Sequence, residues 1–275
     1  MITEERVAKQ YAHGSLEQAI LDALRANGKD IDHLHSSDLS GVDEFHLGWH
    51  SAPVELARDL EYSRGLHILD IGSGRGGSSR YFLGECGCSI TGFDLTEQYV
   101  AVANALTRRC GLSAGINFQQ GSAVALPFDE ASFDGAFMIH FAMNIEDKAS
   151  VFSQVRRVLK TVTRLGVDDI THVDDRPNPL PMPRAALIET GFVEPTDAYR
   201  SLLGNAGFII EKESDRRALA LRLGREIREN ALKHHGPPLG MQVVMGAGAP
   251  ERLGSVMAAL QQGIVAPIAI IVRAV

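Results

Sequence analysis

Between residues 67 and 77 the chain reads HILDIGSGRGG, an acid followed closely by a glycine pattern. Gly72, Gly74 and Gly77 satisfy G-x-G-x-x-G, the spacing that lets a backbone approach a ligand where a helix begins. The usual ligand of such a loop is the pyrophosphate of a dinucleotide. Asp70 argues against it here, because a carboxylate beside a diphosphate in a partly desolvated cleft is unfavourable. S-adenosylmethionine carries a sulfonium and an ammonium against one carboxylate, so the same acid favours it. The alternative reading of the glycines is a tight strand-to-helix turn with no ligand. Asp94, in ITGFDLTEQ, stands about twenty residues past the loop, a spacing that suits hydrogen bonds from ribose hydroxyls. Asp94 and Glu97 also fit D-x-x-E, a helix capping box, and one carboxylate has lone pairs enough for both roles.

If the loop holds a methyl donor, the chemistry is an in-line displacement at an electrophilic methyl group. The protein then has to align acceptor and sulfonium, exclude water, and supply a base where the acceptor arrives protonated. His140, at the end of GAFMIH, is the candidate base, with a polar strand-end residue as its other reading. Glu44 and His46, in VDEFHLGWH, are candidates to face the acceptor, and Trp49 is a candidate to stack on it or simply to pack. Asn144, in AMNIEDK, could hydrogen-bond the acceptor or cap the helix that follows. His33, His35, His234 and His235 lack partners at ligand spacing. The three cysteines, Cys86, Cys88 and Cys110, offer no tetrahedral metal set and read as free thiols of a reducing cytoplasm. No metal is expected.

These residues need elements to hold them. SLEQAILDALRANG reads as a helix, with Ser15 and Gln18 as a capping box and Gly28 to stop it. Ser51 is placed to cap a second helix, APVELARDLEY. From residue 67 short apolar runs alternate with helices. HILDI, CSITGF, INF and GAFMI are expected as buried parallel strands; GSSRYFLGE, EQYVAVANALTRRC and KASVFSQVRRVLK as the helices between them. LGVDDI follows as a fifth strand. DDRPNPLPMPRAALIETG is proline-rich and long, the composition of a functional lid, with Pro177–Pro183 at its centre. PTDAYRSLLGNAG is a helix, FIIEKES a strand, and a helical stretch over 214–264 leads to the closing strand APIAIIV. One α/β domain over 1–275 is expected: a helical cap at 1–64, a cofactor-binding core at 65–213, and a helical addition with the final strand at 214–275.

Composition narrows the class. The 45% hydrophobic and 22% charged residues are those of an ordinary globular protein. A net charge of -7 disfavours non-specific nucleic-acid binding, which needs Lys and Arg to displace counterions. MITEERVAKQ does not read as a signal peptide, and IVAPIAIIV is too short to span a bilayer, so a cytoplasmic protein is expected.

LDIGSGRGG, GFDLTEQYVAVAN, QQGSAVALPFDEASFDGAF and FSQVRRVLK, in this order and spacing, resemble the class I S-adenosylmethionine-dependent methyltransferases. Within them the chain looks most like the small-molecule enzymes of the ubiquinone/menaquinone and glycine-sarcosine-dimethylglycine type, over roughly residues 45–215. The resemblance implies a Rossmann-like sheet of seven strands, mostly parallel, with the last strand antiparallel. It also implies that Asp70, Gly72, Ser73 and Gly74 line the methionine part of the cofactor. Asp94 would bind ribose, Leu95 would touch adenine, Ser122 and Ala123 would flank the adenine edge, and Ile139 with His140 would close the site. Two departures stand out. Ser122 replaces the acid that usually accepts from the adenine amino group, and LKTVTRLGV replaces the usual Lys-Pro-Gly-Gly turn before the fifth strand. The expectation is a methyltransferase acting on an amine, hydroxyl or activated carbon of a small molecule. The rivals are a nicotinamide-dependent oxidoreductase and a non-catalytic cofactor-binding protein.

Overall fold

The strands are β1 (His67–Ile71), β2 (Ser89–Asp94), β3 (Ile116–Gln120), β4 (Phe133–Ile139), β5 (Leu159–His172), β6 (Phe208–Asp215) and β7 (Val265–Ala274). They form one seven-stranded sheet in the order β3-β2-β1-β4-β5-β7-β6. β1 to β5 pair in parallel, and β7 enters between β5 and β6 antiparallel to both. The Rossmann-like sheet expected from the sequence is the one formed. The computed structural model describes residues 16–43, 46–176, 192–233, 240, 243–244 and 248–275. Ser15, Glu44, the Pro177–Pro183 lid, His234 and His235 lie outside the described residues.

The helices are α1 (Leu16–Ala26), α2 (Ser40–Asp43), α3 (Ser51–Leu60), α4 (Gly77–Cys86), α5 (Glu97–Arg109), α6 (Lys148–Val158), α7 (Thr196–Asn205), α8 (Arg217–Lys233) and α9 (Ala249–Gln261). Successive strand residues point to opposite faces, which gives the sheet two cores. Leu69, Met138 and Val167 meet Phe152, Val155 and Tyr199 of α6 and α7 on one face. Ile68, Ile90 and Phe137 meet Leu56, Leu60, Phe82 and Ala103 of α3, α4 and α5 on the other. Phe82 and Phe137 stack at 4.2 Å between ring centroids. The polar Asp70 shares the α4 face, and that alternation decides its environment. α1 packs on α5 through Ile20, Leu24, Tyr99 and Leu106. α8 and α9 pack around Leu47 and Met143. Among the described residues no helix is long and apolar enough to cross a membrane.

Several local expectations are corrected. Ser51 does not cap α3: its N–H already donates to Gly48 O at 2.9 Å, and His50 stands at the N-cap with no capping hydrogen bond from its side chain. Asp94 and Glu97 form no capping box, because Thr96 is the N-cap of α5. Asn144 does not cap α6; Asp147 does, accepting from Ser150 N–H at 2.9 Å. Leu159 and Lys160 leave α6 for β5, since Leu159 pairs with Phe133 and its side chain is buried in the sheet core. In place of the Lys-Pro-Gly-Gly turn, α6 runs directly into a 14-residue β5 that carries Val162 at φ 64 and a register shift against β4.

Candidate active site

β1 ends against the glycine loop. Gly72 and Ser73 donate their N–H groups to Phe93 O at 2.8 and 3.1 Å, which ties the loop to β2. Gly72 holds φ 74, and a Cβ there would lie 2.3 Å from the Phe141 ring, so both conformation and space require glycine. Gly74 differs. At φ 53 its added Cβ would meet no atom within 4 Å, so this residue borders open space. That space is a cleft at the carboxyl ends of β1, β2 and β4, lined by Asp70, Ser73, Gly74, Asp94, Leu95 and Ile139 among others.

Asp94 organises the cleft wall from the end of β2. One carboxylate oxygen accepts from Gly74 N–H at 2.9 Å and the other from Thr96 N–H at 2.8 Å. A carboxylate has lone pairs left after both bonds. Asp70 is buried and accepts from Ser79 Oγ at 2.5 Å. Burial pushes its carboxyl up to about 7, with Ser79 opposing and the Asp94 charge adding to the rise. Ser73 Oγ is buried with no hydrogen-bond partner among the described residues. An acid short of a cation, an orphaned hydroxyl and an open face at Gly74 fit a ligand with a positive centre and hydrogen-bonding groups.

On the opposite wall the N-terminal segment is clamped to the glycine loop. Arg80 is buried and donates to Asp43 Oδ2 at 2.7 Å, Thr107 Oγ1 at 2.9 Å and Arg75 O at 2.9 Å. Arg75 donates through Nε to Val42 O at 2.7 Å and lies over the Tyr99 ring. Asp43, Arg75, Thr96, Tyr99, Phe141 and Ile145 all reach the cleft. Sequence reading passed over these six. Arg75 and Thr96 sit inside motifs already singled out, whereas Asp43 is placed by its ion pair with the buried Arg80, far along the chain.

The remaining corner holds two histidines. His46 lines the cleft, and its ring meets that of His140 edge-on with centroids 5.8 Å apart. His140 is buried at φ 51, donates its N–H to Asp168 O at 2.6 Å, and accepts from Leu47 N–H at its Nδ1 at 3.3 Å. With Nδ1 accepting, the neutral His140 ring carries its proton on Nε2. Asn144 reaches the cleft and donates to the carbonyls of His140 and Phe141 at 3.2 and 3.1 Å. Beneath it, Asp169 accepts from Met143 N–H at 2.8 Å and Tyr199 OH at 2.9 Å; burial pushes its carboxyl up to about 7.

Of the expected site residues, Asp70, Gly72, Ser73, Gly74, Asp94, Leu95, Ile139, His46 and Asn144 converge on one cleft. His140 stands one layer behind His46. Ala123 lies in the sheet core with Phe93, while the Ser122 hydroxyl accepts from Val124 N–H at 3.4 Å. Trp49 lies against α8: a Cβ at Gly224 would lie 3.5 Å from its Cη2.

Residues 69–167 match the family model described as a methyltransferase domain. The chain is 33% identical over 164 residues to the O-methyltransferase cnsE of Penicillium expansum, covering 58% of each chain. It is 28% identical over 200 residues to the O-methyltransferase resE of Aspergillus sclerotiorum, covering 72% of this chain and 76% of that one. The domain match and the relatives make the chain similar to the class I S-adenosylmethionine-dependent methyltransferases. The chain spans 58% of the length of the first of these relatives. The fold is shared with a structure described as a sarcosine dimethylglycine methyltransferase from Galdieria sulphuraria, with a TM-score of 0.68, 20% identity, and coverage of 82% of this chain and 85% of that one. The fold is also that of a structure described as geranyl diphosphate methyltransferase in complex with S-adenosylmethionine, with a TM-score of 0.65, 16% identity, and coverage of 82% of this chain and 86% of that one.

Proposed function

We propose that this methyltransferase acts on a small-molecule hydroxyl, and that a histidine at the cleft rim takes the hydroxyl proton. The observation that carries this reading is His46 on the cleft wall, edge-on to His140, at the end of β4. A hydroxyl is a poor nucleophile until its proton leaves, and an imidazole within reach is suited to accept it near neutral pH. The two sequence relatives named above are O-methyltransferases, which supports an oxygen acceptor.

S-adenosylmethionine supplies an electrophilic methyl group when bound. The chain's own residues then have three tasks. Asp94, Gly74 and Asp70 hold the donor, the first through ribose and the last through charge. Asn144, fixed by two carbonyls, presents the rest of its amide to the acceptor. His46 accepts the proton, while His140 works from behind: by accepting from Leu47 N–H it pins the backbone beside His46. This reading keeps His140 essential for rate and gives it a positioning task. Glu44 adjoins the same segment. Ser122, Ala123 and Leu95 are assigned to the adenine end, and Trp49 to the contact between the rim and α8.

The test is methyl transfer by the full chain from S-adenosylmethionine carrying a deuterated methyl group, offered phenols, alcohols, amines and thiols in parallel. Mass spectrometry should find the label on oxygen, and His46→Ala should lower that rate about a hundredfold. Label on nitrogen or carbon alone refutes the reading.

A further inference from the structure

The turn that follows β4 offers the cleft one hydrogen-bonding atom of fixed sense. Ala142–Asn144 form a turn of 3-10 helix, and Asn144 lines the cleft while only 8% exposed. Its Nδ2 carries two hydrogens, and both are spent, on His140 O at 3.2 Å and Phe141 O at 3.1 Å. The amide is not free to turn over, because Oδ1 would then face the same two carbonyl oxygens with nothing to donate. Oδ1 is therefore the part of this side chain left to the cleft, and none of the described residues donates to it. The turn is held on both sides of Asn144. Met143 N–H donates to the buried Asp169 at 2.8 Å, and Met143 O accepts from Phe192 N–H at 2.9 Å. Lys148, 2% exposed, donates through Nζ to Ile145 O at 2.8 Å and to Phe192 O at 2.6 Å. Met143 shares an apolar cluster with Leu47, the neighbour of His46, which sets this turn on the histidine side of the cleft. A buried acceptor held this firmly discriminates between ligands. One that leaves it unpaired forgoes the bond and still strips the oxygen of water.

We propose that Asn144 Oδ1 selects methyl acceptors that carry a second hydrogen-bond donor, a hydroxyl or an amine besides the hydroxyl that is methylated. The proposal rests on the hydroxyl reading above, and a count of hydrogens carries it. A hydroxyl has one hydrogen, and that hydrogen leaves as the methyl group arrives. Oδ1 needs a hydrogen of its own throughout, so another group of the same acceptor supplies it. With both Nδ2 hydrogens committed to carbonyls, Asn144 has no donor to offer, and an ether or carbonyl at that position is rejected. The substrate class is a polyhydroxylated or amino-hydroxylated small molecule. Asn144 reads the second group, and the buried Lys148 and Asp169 behind it keep the amide in register.

The experiment offers the full chain, with methyl-deuterated S-adenosylmethionine, the isomeric benzenediols, aminophenols and fluorophenols together with phenol. It reads kcat/KM for each and locates the label by mass spectrometry. Fluorine is close to a hydroxyl in size but donates nothing. At least one diol or aminophenol should exceed phenol and its own fluoro counterpart about tenfold or more, the cost of leaving one buried acceptor unsatisfied. Asn144→Ala should bring that ratio down to about one. Should Asn144→Ala fail to fold, Asn144→Ser serves the same comparison, since its hydroxyl can still donate to a carbonyl of the turn but is too short to reach the acceptor. S-adenosylhomocysteine affinity should hold in either variant; its loss puts Oδ1 on the cofactor and overturns the proposal. Turnover of no diol or aminophenol overturns it as well. Label on oxygen with equal turnover of diols and fluorophenols leaves the hydroxyl reading standing and refutes the role of Asn144. Label on nitrogen alone, with a preference that disappears in Asn144→Ala, refutes the hydroxyl reading and upholds Asn144.

Discussion

With Asp70 facing the positive centre of the cofactor, as proposed above, cofactor binding is a proton-linked event whose size follows from the environment of this acid. Its carboxyl is held up at about 7 against an ordinary 3.8, chiefly by burial, because Ser79 is its hydrogen-bond donor and no cation among the described residues compensates it. A ligand bringing positive charge to this acid selects the ionised form. At pH 6 about one tenth of Asp70 is ionised and at pH 8 about nine tenths, so apparent affinity should rise about tenfold across that window. At pH 7 binding should release about half a proton from this group. The assay is calorimetric titration with S-adenosylhomocysteine in buffers of different ionisation heat, for the unsubstituted chain and Asp70→Asn. The substitution should remove the released half-proton and leave only the ligand's own titration. The sign for folding runs the other way. A carboxyl raised in the folded state stabilises below its unfolded value and loses that contribution as pH rises towards 7, so the ligand-free melting temperature should fall over that range. The reasoning is falsified if both proteins show the same pH dependence of affinity and the same proton release.

Two further outcomes are expected. Gly74→Val should fold, because its Cβ meets nothing within 4 Å, though the positive φ costs about 1–2 kcal/mol; titration should find S-adenosylmethionine binding lost, and retained affinity would show that this face is not where the donor lies. Arg80→Met should destabilise by about 3–5 kcal/mol, since it leaves Asp43 buried without its cation, and pairing it with Asp43→Asn should recover part of the loss in a denaturant melt.

The cleft at the glycine loop was largely legible because its parts are local in the chain. A strand, a glycine turn and a helix form one unit, so HILDIGSGRGG predicts both the backbone path and the edge of the sheet where it opens. Asp94 is legible for a related reason, since it ends the next strand and parallel pairing places it beside the loop. Its expected capping role fails because the choice of N-cap depends on where the chain turns, and Gly74 competes for the same oxygens. The boundary between α6 and β5 was misplaced for the same kind of reason. Helical spacing runs on through Leu159, but burial against β4 outweighs it.

The acceptor side could not be read from the chain alone. Asp43 and Arg80 are 37 residues apart, His46 and His140 further still, and Asp168 meets Arg216 from 48 residues away. No periodicity links such residues, because what pairs them is the crossing of segments over a shared sheet edge. Local propensity and motif spacing settle the strands, the glycine loop and the charge that prefers a methyl donor. Which histidine reaches the cleft and which stands behind it is decided by tertiary packing. A side chain's chemistry depends on what has been stripped of water around it, and that shell is assembled from distant parts of the sequence.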